Sequence, residues 1–257
     1  MDFSKPATWI SNQYSHPSEE IDAQFTYNSL ELPIPSKRLR ATVSGPELDR
    51  FLYIGSAWTQ LSMQYTTNCT NPRVLDIGCG VGKMARHFCL LPQLEYIGFD
   101  IYWPAIEWCQ YHFKKVYGNR FNFHHFDGIS HMYNPKGRVP TRDFIFPCQN
   151  GSIDLAIGAS ILTHLYEGDI SHYLKQTAAS LSPNGVAIFS THTPDEFCTF
   201  FPETPIPNNK DIVGNEQVMM ISDDFLDTLA LEAGLHLKDR PGRLCGQQIS
   251  VFERSIK

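Results

Sequence analysis

Short apolar runs alternate along this chain with longer segments of helical periodicity. The runs are rich in β-branched and aromatic residues and predict strands near 73–77, 94–100, 121–126, 153–158 and 185–190. Apolar residues spaced three or four positions apart predict helices near 82–91, 103–117, 164–181 and 222–233. A parallel sheet needs this alternation of strand and helix, so the pattern predicts an α/β fold.

The two ends of the chain depart from that alternation. Residues 1–70 are expected to form an N-terminal arm followed by one or two cap helices, with Gly55 as a weak point in the helical pattern. Residues 71–257 are expected to form the main domain, which ends in an alternating strand at 247–253. The segments 128–150 and 191–222 show no regular pattern. Because both follow strands at the carboxyl edge, where open α/β sheets bind ligands, they are expected to line the substrate pocket, with 191–222 as a lid insertion.

A glycine-rich turn joins the first strand to the first helix of the main domain. Gly78, Gly80 and Gly82 stand at every second position, and Cys79 lies among them. Glycine lets the backbone approach a ligand closely and adopt a positive φ. The helix that follows offers free backbone N–H groups at its N-terminus. The turn therefore predicts a ligand site, although dinucleotide-binding folds use a similar turn.

Two acidic residues separate these interpretations. Asp76 stands two residues before Gly78, where a nucleotide-binding dehydrogenase has an apolar residue or glycine. Asp100 ends the next predicted strand, where a carboxylate can accept both hydroxyls of a ribose. The pattern Asp-x-Gly-x-Gly-x-Gly with a downstream acid at a strand end resembles the class I S-adenosylmethionine (SAM)-dependent methyltransferases. The resemblance implies a Rossmann-like fold with a seven-stranded, mostly parallel sheet, an antiparallel last strand, helices on both faces and an N-terminal helical and extended cap.

The resemblance also implies which residues bind the cofactor SAM. Asp127 is placed to accept a hydrogen bond from the adenine amino group, although an acid before a glycine is also common in a simple turn. The edge after the fourth strand faces the methionine part of the cofactor and the transferring methyl group. The full set of expected cofactor-binding residues is Asp76, Gly78, Cys79, Gly80, Gly82, Asp100, Ile101, Phe126, Asp127, Gly128, Ala159 and Ser160.

Two histidines are candidates for a general base. His164 lies one helical turn beyond Ser160, and phosphoethanolamine methyltransferases have a histidine at the corresponding place that works with an N-terminal tyrosine; here Tyr14, Tyr27 or Tyr53 could supply that partner. Many type 11 methyltransferases carry a similar His-Leu pair that only helps to begin a helix. His192 follows the fifth strand and is the second candidate.

Further stretches resemble a bacterial subfamily of type 11/25-like SAM methyltransferases. They include Leu32-Pro-Ile-Pro35, Ala105-Ile-Glu-Trp-Cys109, Tyr133-Asn-Pro135, Ser160-Ile-Leu-Thr-His-Leu165 and Leu181-Ser-Pro-Asn-Gly185. Members are often encoded among glycosyltransferases and envelope-polysaccharide genes. The resemblance implies O-methylation of a sugar, a glycan or a small polar acceptor in polysaccharide biosynthesis. The alternatives are a natural-product or amine methyltransferase, and a non-enzymatic SAM-fold binding protein, against which the intact acids Asp76, Asp100 and Asp127 argue.

The amino-acid composition limits the classes of molecule that the protein could bind. The chain of 257 residues has a net charge of -6, which argues against a nucleic-acid substrate. A hydrophobic fraction of 42% and mean hydropathy of -0.26 fit a soluble protein, and the absence of a long apolar run or a signal-peptide h-region predicts no membrane insertion and a cytoplasmic location. Seven cysteines without a C-x-x-C pair, and a His124–His125 pair that points to opposite faces of a strand, predict no metal site. The sequence sets no oligomeric state.

Overall fold

The computed structural model describes residues 16–19, 21, 31–66, 69–201, 203, 210–215 and 217–255. The strands are Arg73–Ile77 (β1), Glu95–Asp100 (β2), Phe121–His125 (β3), Ile153–Gly158 (β4), Leu181–Thr191 (β5), Ile212–Asn215 (β6), Val218–Ile221 (β7), Leu235–Leu244 (β8) and Gln247–Arg254 (β9). The α-helices are Lys37–Ala41 (α1), Leu48–Met63 (α2), Ala85–Phe88 (α3), Trp103–Tyr117 (α4), Glu167–Ser180 (α5), Phe197–Phe200 (α6) and Asp223–Glu232 (α7).

Within the described residues, seven strands form the main sheet in the order β3-β2-β1-β4-β5-β9-β8. Strands β1, β2 and β3 pair in parallel, as do β4 and β5. Strand β9 runs antiparallel to both of its neighbours, β5 and β8. The predicted fold class, a mostly parallel Rossmann-like sheet with an antiparallel last strand, is confirmed.

The described residues divide into two compact units, one within 7–127 and one within 128–257. The expected boundary near residue 70, between cap and main domain, stays a prediction about domain organisation.

In the first unit, α4 begins with a proline in its first turn and ends at Gly118, whose φ is 60°. Its buried residues recur at helical spacing and end in Phe113, which packs against Phe121 and Phe123 of β3 with ring centroids 5.7 and 4.9 Å away. This aromatic packing fixes α4 on β3.

Two buried arginines hold the segment before α1. Arg86 donates to the carbonyl oxygens of Leu32 and Pro33, and Arg40 donates to the carbonyl of Pro35 at 2.7 Å. Because a buried guanidinium needs acceptors for its N–H groups, these carbonyls fix the extended cap segment. Gly55, expected to be a weak point of α2, has a specific use: a Cβ there would lie 2.5 Å from the carbonyl oxygen of Lys83. Glycine therefore allows α2 to pack closely on residues 83–87.

In the second unit, β5 pairs with β4 on one side and with β9 on the other. Strand β4 and residues 185–191 of β5 are nearly fully buried, as expected for central strands. The hydroxyl of Ser222 caps α7 by accepting the backbone N–H of Phe225 at 3.3 Å. These elements place the carboxyl ends of β4 and β5, and the start of β9, at one edge of the unit.

Residues 191–222 are more regular than the sequence predicts. Strands β6 and β7 pair as a two-stranded antiparallel hairpin, and an apolar cluster forms beside it from Phe197, Val213, Val218 and Met220, with Phe200 and Phe201 packed against it. The backbone N–H of Ile221 donates to the carbonyl of His192 at 2.8 Å. The lid insertion is thus tied by its own backbone to the end of β5.

Several element boundaries also differ from those predicted. Helix α3 covers only Ala85–Phe88, because the preceding residues form turns, and α5 begins at Glu167 after a 3₁₀ turn at Leu162–His164. Strand β8 was not predicted: it is a polar edge strand that contains a proline, so it lacks the apolar alternation of an inner strand. No helix in the described part of the chain is both long and apolar enough to cross a membrane.

Candidate active site

The glycine turn after β1 is held by the end of β2. Gly78, Gly80 and Gly82 adopt φ values of 77°, 52° and 68°. The backbone N–H groups of Gly78 and Cys79 both donate to the carbonyl of Phe99 at 3.0 Å, and the N–H of Gly80 donates to a carboxylate oxygen of Asp100 at 2.8 Å. The positive φ values explain why the turn requires glycine at these positions.

Gly80 has a second constraint that the sequence did not reveal. A Cβ at this position would lie 2.2 Å from Cγ1 of Val43, in the segment that follows α1. The side chain of Lys83 donates to the carbonyl of Val43 at 3.3 Å. The space beside Gly80 is therefore occupied by the side chain of Val43. Glycine is needed at this position for that packing, and not only for the approach of a ligand.

Asp100 is oriented by the backbone around it. One carboxylate oxygen accepts the N–H of Gly80, and the other accepts the N–H of Tyr102 at 2.8 Å. Burial raises the pKa of Asp100 above its ordinary value, while the N–H groups of Tyr102, Gly80 and Ile101 act in the opposite direction. A carboxylate offers about four lone-pair positions, so this arrangement fixes the group and leaves it able to accept further donors.

The other expected residues of this unit lie beside Asp100. The N–H of Phe126 donates to the carbonyl of Asp100 at 3.1 Å, and the carbonyl of Ile101 lies 3.1 Å from Nε2 of His125. Asp127 follows Phe126 directly and is partly buried. The structure therefore brings together the ends of β2 and β3 and the glycine turn.

Asp76 is a buried carboxyl group with an incomplete set of partners. The hydroxyl of Tyr96 donates to its Oδ2, whereas Oδ1 is buried without a hydrogen-bond partner. Burial raises the pKa of Asp76 to about 7, although Tyr96 and the charge of Lys83 act against this. A buried oxygen without a donor is uncommon in a native protein, and a cationic N–H donor would complete it.

In the second unit, Ser160 has an unusual backbone at the end of β4. Its φ is 62°, in the left-handed region that non-glycine residues rarely occupy. Its N–H donates to the hydroxyl of Ser190 at 2.9 Å, and its own hydroxyl lies 3.0 Å from that of Thr163. Ala159 directly precedes Ser160 and is half-buried. Gly128, at the start of this unit, is buried, and its carbonyl oxygen accepts a hydrogen bond from the side-chain amide of Asn134 at 3.0 Å. Strained residues held this firmly are common at functional sites.

His192 stands at the end of β5 with both ring nitrogens in contact with other side chains. Its Nδ1 lies 3.2 Å from Oε2 of Glu196, and its Nε2 lies 3.2 Å from the amide nitrogen of Gln247. The ring of Phe200 packs edge-on against the imidazole with centroids 4.6 Å apart. A histidine beside a carboxylate is the arrangement that general bases commonly have.

His164 has a different neighbour. Its Nε2 lies 3.4 Å from the hydroxyl of Tyr133, and the two rings pack edge-on with centroids 5.3 Å apart. Of the tyrosines expected as partners, Tyr14 and Tyr27 lie outside the described residues and Tyr53 is exposed on α2. Tyr133, not considered for this role from the sequence, is the tyrosine that the structure places beside His164.

Three further residues at His192 were missed from the sequence. Glu196 follows a Thr-x-x-Glu pattern that forms a capping box with Thr193, so a local signal for its position did exist. Arg243 and Gln247 come from β8 and β9, about fifty residues away, and Arg243 donates to Glu196 at 2.8 Å. No local pattern links these two residues to His192, because only the strand pairing brings them there.

The fold, with its seven-stranded sheet and antiparallel last strand, is that of the class I SAM-dependent methyltransferases. Residues 49–238 match a family described as a methyltransferase domain. The chain belongs to that family.

Solved structures show the same fold at low sequence identity. A SAM-dependent methyltransferase from Clostridium acetobutylicum has a TM-score of 0.58 and 11% identity, over 78% of this chain and 92% of that one. The 1,6-didemethyltoxoflavin-N1-methyltransferase of Burkholderia thailandensis, bound to its substrate and S-adenosylhomocysteine (SAH), has a TM-score of 0.55 and 17% identity over 79% and 80%. The magnesium protoporphyrin IX methyltransferase of Synechocystis, also with bound SAH, has a TM-score of 0.55 and 15% identity over 81% and 88%.

The residues of the first unit fit SAM as the cofactor. SAM carries an ammonium and a carboxylate on its methionine part and a ribose diol on its nucleoside. The unpartnered Oδ1 of Asp76 suits a cationic donor, and the fixed carboxylate of Asp100 suits hydroxyl donors. Within the described ranges, no group of three or more His, Cys, Asp or Glu residues is arranged to hold a metal ion.

Proposed function

We propose that this methyltransferase acts on a hydroxyl oxygen of a sugar, a glycan or another small polar acceptor, as a step of polysaccharide biosynthesis. The observation that carries the proposal is the pairing of His192 with Glu196 at the end of β5. A neutral hydroxyl must lose its proton to become a good nucleophile, and a carboxylate-supported imidazole is suited to take it.

We extend the proposal to the residues that would bind the cofactor. When bound, SAM supplies an electrophilic methyl group on a sulfonium. Asp100 would accept the ribose hydroxyls and Asp76 would accept the ammonium, while the N–H groups of the glycine turn hold the turn against the end of β2. The other cofactor-binding residues expected from the sequence stay predictions: Cys79, Ile101, Phe126 and Asp127 in the first unit, and Gly128, Ala159 and Ser160 in the second. The roles proposed for the two acids are supported by the tight positioning of Asp100 and the buried unpartnered oxygen of Asp76.

Of the two candidate bases, His192 has the stronger support. Its ring is fixed by Glu196 through Nδ1, so Nε2 carries the lone pair that accepts a proton. His164 contacts a tyrosine hydroxyl at 3.4 Å, which is long for an O–H···N hydrogen bond, and lies in a short 3₁₀ turn. We therefore assign proton removal to His192. We assign a structural role to His164, which packs against the loop that carries Tyr133.

A natural-product or amine N-methyltransferase is the second candidate. The aromatic cluster beside His192, with Phe200 packed on the imidazole, favours an acceptor with an apolar planar face. The structurally similar proteins from Burkholderia and Synechocystis are named for a toxoflavin precursor and a porphyrin. An aromatic amine acceptor would use the same histidine to remove an N–H proton.

An acceptor screen with two histidine variants tests the proposal. Labelled methyl transfer from SAM is measured against sugars, sugar nucleotides, glycan fragments and aromatic amines, and the methylated atom is identified by mass spectrometry and NMR. For the best acceptor, His192→Ala should lower kcat about 10²–10⁴-fold, the usual effect of losing a general base, with SAM affinity unchanged.

His164→Ala is the matched control, and we expect it to lower thermal stability while keeping kcat within about tenfold of the wild-type value. If the enzyme methylates only nitrogen atoms, the N-methyltransferase function replaces the proposed O-methyltransferase function. Normal turnover in His192→Ala would remove the proton-abstraction role on which the proposal depends.

A further inference from the structure

Glu196 is held on several sides where it meets His192. Its Oε2 accepts the backbone N–H of Thr193 at 2.8 Å, and its Oε1 accepts an N–H of Arg243 at 2.8 Å. Arg243 also donates from its second terminal nitrogen to the hydroxyl of Thr193 at 2.8 Å. This two-point contact fixes the carboxylate in one orientation, because the planar guanidinium holds both partners at once.

The surroundings keep Glu196 ionised. Burial alone would raise the pKa of Glu196, but the hydrogen bonds from Arg243 and Thr193 and the nearby imidazole hold this pKa below its ordinary value. An ionised carboxylate can only accept hydrogen bonds. The hydrogen between Glu196 and His192 therefore sits on Nδ1, which leaves Nε2 as the unprotonated nitrogen of the neutral ring.

Gln247 gives independent evidence for the same tautomer. The hydroxyl of Ser190 donates to Oε1 of Gln247 at 2.5 Å, so the NH₂ group of the amide points the other way. That NH₂ group donates to the hydroxyl of Ser160 at 2.7 Å and lies 3.2 Å from Nε2 of His192. An N–H donor facing Nε2 requires Nε2 to be an acceptor, in agreement with a proton on Nδ1.

We propose that Glu196 and Arg243 are positioning residues that fix His192 in the Nδ1–H tautomer, with Arg243 acting through Glu196. The groups that face the imidazole are the carboxylate of Glu196, the neutral amide of Gln247 and the ring of Phe200, while Asp195 and Asp223 act electrostatically on Arg243. The catalytic consequence of this tautomer rests on the proposed function, but the tautomer itself does not.

Under the proposed function, an acceptor hydroxyl that gives its proton to Nε2 would have to displace the contact from Gln247. This contact is the longest of the three hydrogen bonds of that amide, at 3.2 Å against 2.5 and 2.7 Å. A hydroxyl that takes the place of the amide N–H would donate to Nε2 of His192 and lie close to the hydroxyl of Ser160. The amide of Gln247 thus occupies Nε2 until an acceptor replaces it.

The test is the tautomer of His192, read from the nitrogen chemical shifts of its ring in protein labelled with ¹⁵N-histidine. The spectrum is recorded at a pH where the ring is neutral, and the His192→Ala variant identifies the signal. Wild-type protein should show the Nδ1–H form. Glu196→Gln keeps a residue that suits the capping box, but an amide can turn either its oxygen or its NH₂ toward Nδ1, so the two tautomers should mix.

The chain offers a matched control in a second histidine–glutamate pair. Nε2 of His236 lies 3.1 Å from Oε1 of Glu253, which also contacts Lys238. Glu253→Gln should change the signal of His236 and leave that of His192 as in the wild type. Arg243→Gln should change the His192 tautomer less than Glu196→Gln does, since Thr193 still holds the carboxylate.

Two results would overturn the inference: a wild-type His192 in the Nε2–H form, or a Glu196→Gln spectrum in which His192 matches the Glu253→Gln control. Turnover separates this inference from the proposed function. If the tautomers mix in Glu196→Gln and kcat falls at least about tenfold with an unchanged acceptor KM, both stand. If the tautomers mix and kcat does not change, the inference stands and His192 is not the base.

Discussion

The turn after β1 and the turn after β5 both follow buried strands, yet they present different chemical groups. At β1 the backbone N–H groups of the glycine turn are bonded to the end of β2, and the acids Asp76 and Asp100 are fixed by a tyrosine and by backbone. At β5 the partners of His192 are side chains, each of which a single substitution removes. The first region is suited to hold a cofactor in one position, and the second can exchange partners and a proton during a reaction.

The largest effect is expected where the first region depends on the absence of a side chain. Gly80→Val should lower SAM and SAH affinity more than about 100-fold and lower the melting temperature, because the new side chain would collide with Val43 and the backbone has a positive φ. Calorimetry and thermal unfolding measure both effects. Gly118→Val is the control, since its φ is also positive but a Cβ there meets nothing within 4 Å. Equal loss of binding in both variants would refute a specific role for the turn.

A smaller effect is expected from the acid that the turn orients. Asp100→Ala should weaken SAH binding by roughly 1.5–3 kcal/mol, about 10- to 100-fold, because it removes a charged acceptor. Asp100→Asn should recover part of the affinity, since its oxygen still accepts one hydroxyl. SAH affinity that is unchanged in Asp100→Ala would show that this carboxylate does not bind the cofactor.

The smallest effect concerns pH and Asp76. Its pKa is raised to about 7, so folding favours the protonated form and stability is lost as pH rises toward and through 7. Between pH 6 and 8.5 the wild type should lose about 1–2 kcal/mol more stability than Asp76→Asn, because about one pH unit of this range lies below the raised pKa of about 7. Its melting temperature should therefore fall by roughly 3–6 °C more, at about 2–4 °C per kcal/mol for a domain of this size.

Saturating SAH sharpens this pH prediction. A bound ammonium would compensate the ionised carboxylate of Asp76, so the extra pH slope of the wild type should shrink when SAH is present. Parallel slopes for the wild type and Asp76→Asn, with or without SAH, would show that Asp76 does not titrate in this range.

The two regions also differ in how far the sequence predicts them. The glycine turn and Asp100 are local patterns at a strand end, and strand β2 brings them together as predicted. The sequence explained only part of the need for glycine at position 80, because its packing partner Val43 lies nearly forty residues away in the chain. Around His192 only Glu196 had a local signal. Arg243 and Gln247 reach it through β8 and β9, and the polar edge strand β8 carries little apolar periodicity from which to predict it.

The β6–β7 hairpin of the lid insertion is a second feature that local sequence patterns did not predict. Strands β6 and β7 have four residues each, too short for a clear alternation, and they are held by pairing and by the apolar cluster around Met220. His164 was favoured from the sequence because it followed a motif, whereas the contacts of His192 come from tertiary structure. Local patterns thus predicted the positions of the residues around the glycine turn better than those of the residues around His192.

The most direct test of the division between the two regions is one crossed measurement of SAH affinity and single-turnover methyl transfer in Asp100→Ala and His192→Ala. With saturating SAM, Asp100→Ala should bind SAH about 10- to 100-fold more weakly and keep a near-normal transfer rate. His192→Ala should bind SAH normally and transfer the methyl group about 10²–10⁴-fold more slowly. A loss of both properties in both variants, or normal transfer by His192→Ala, would contradict the account.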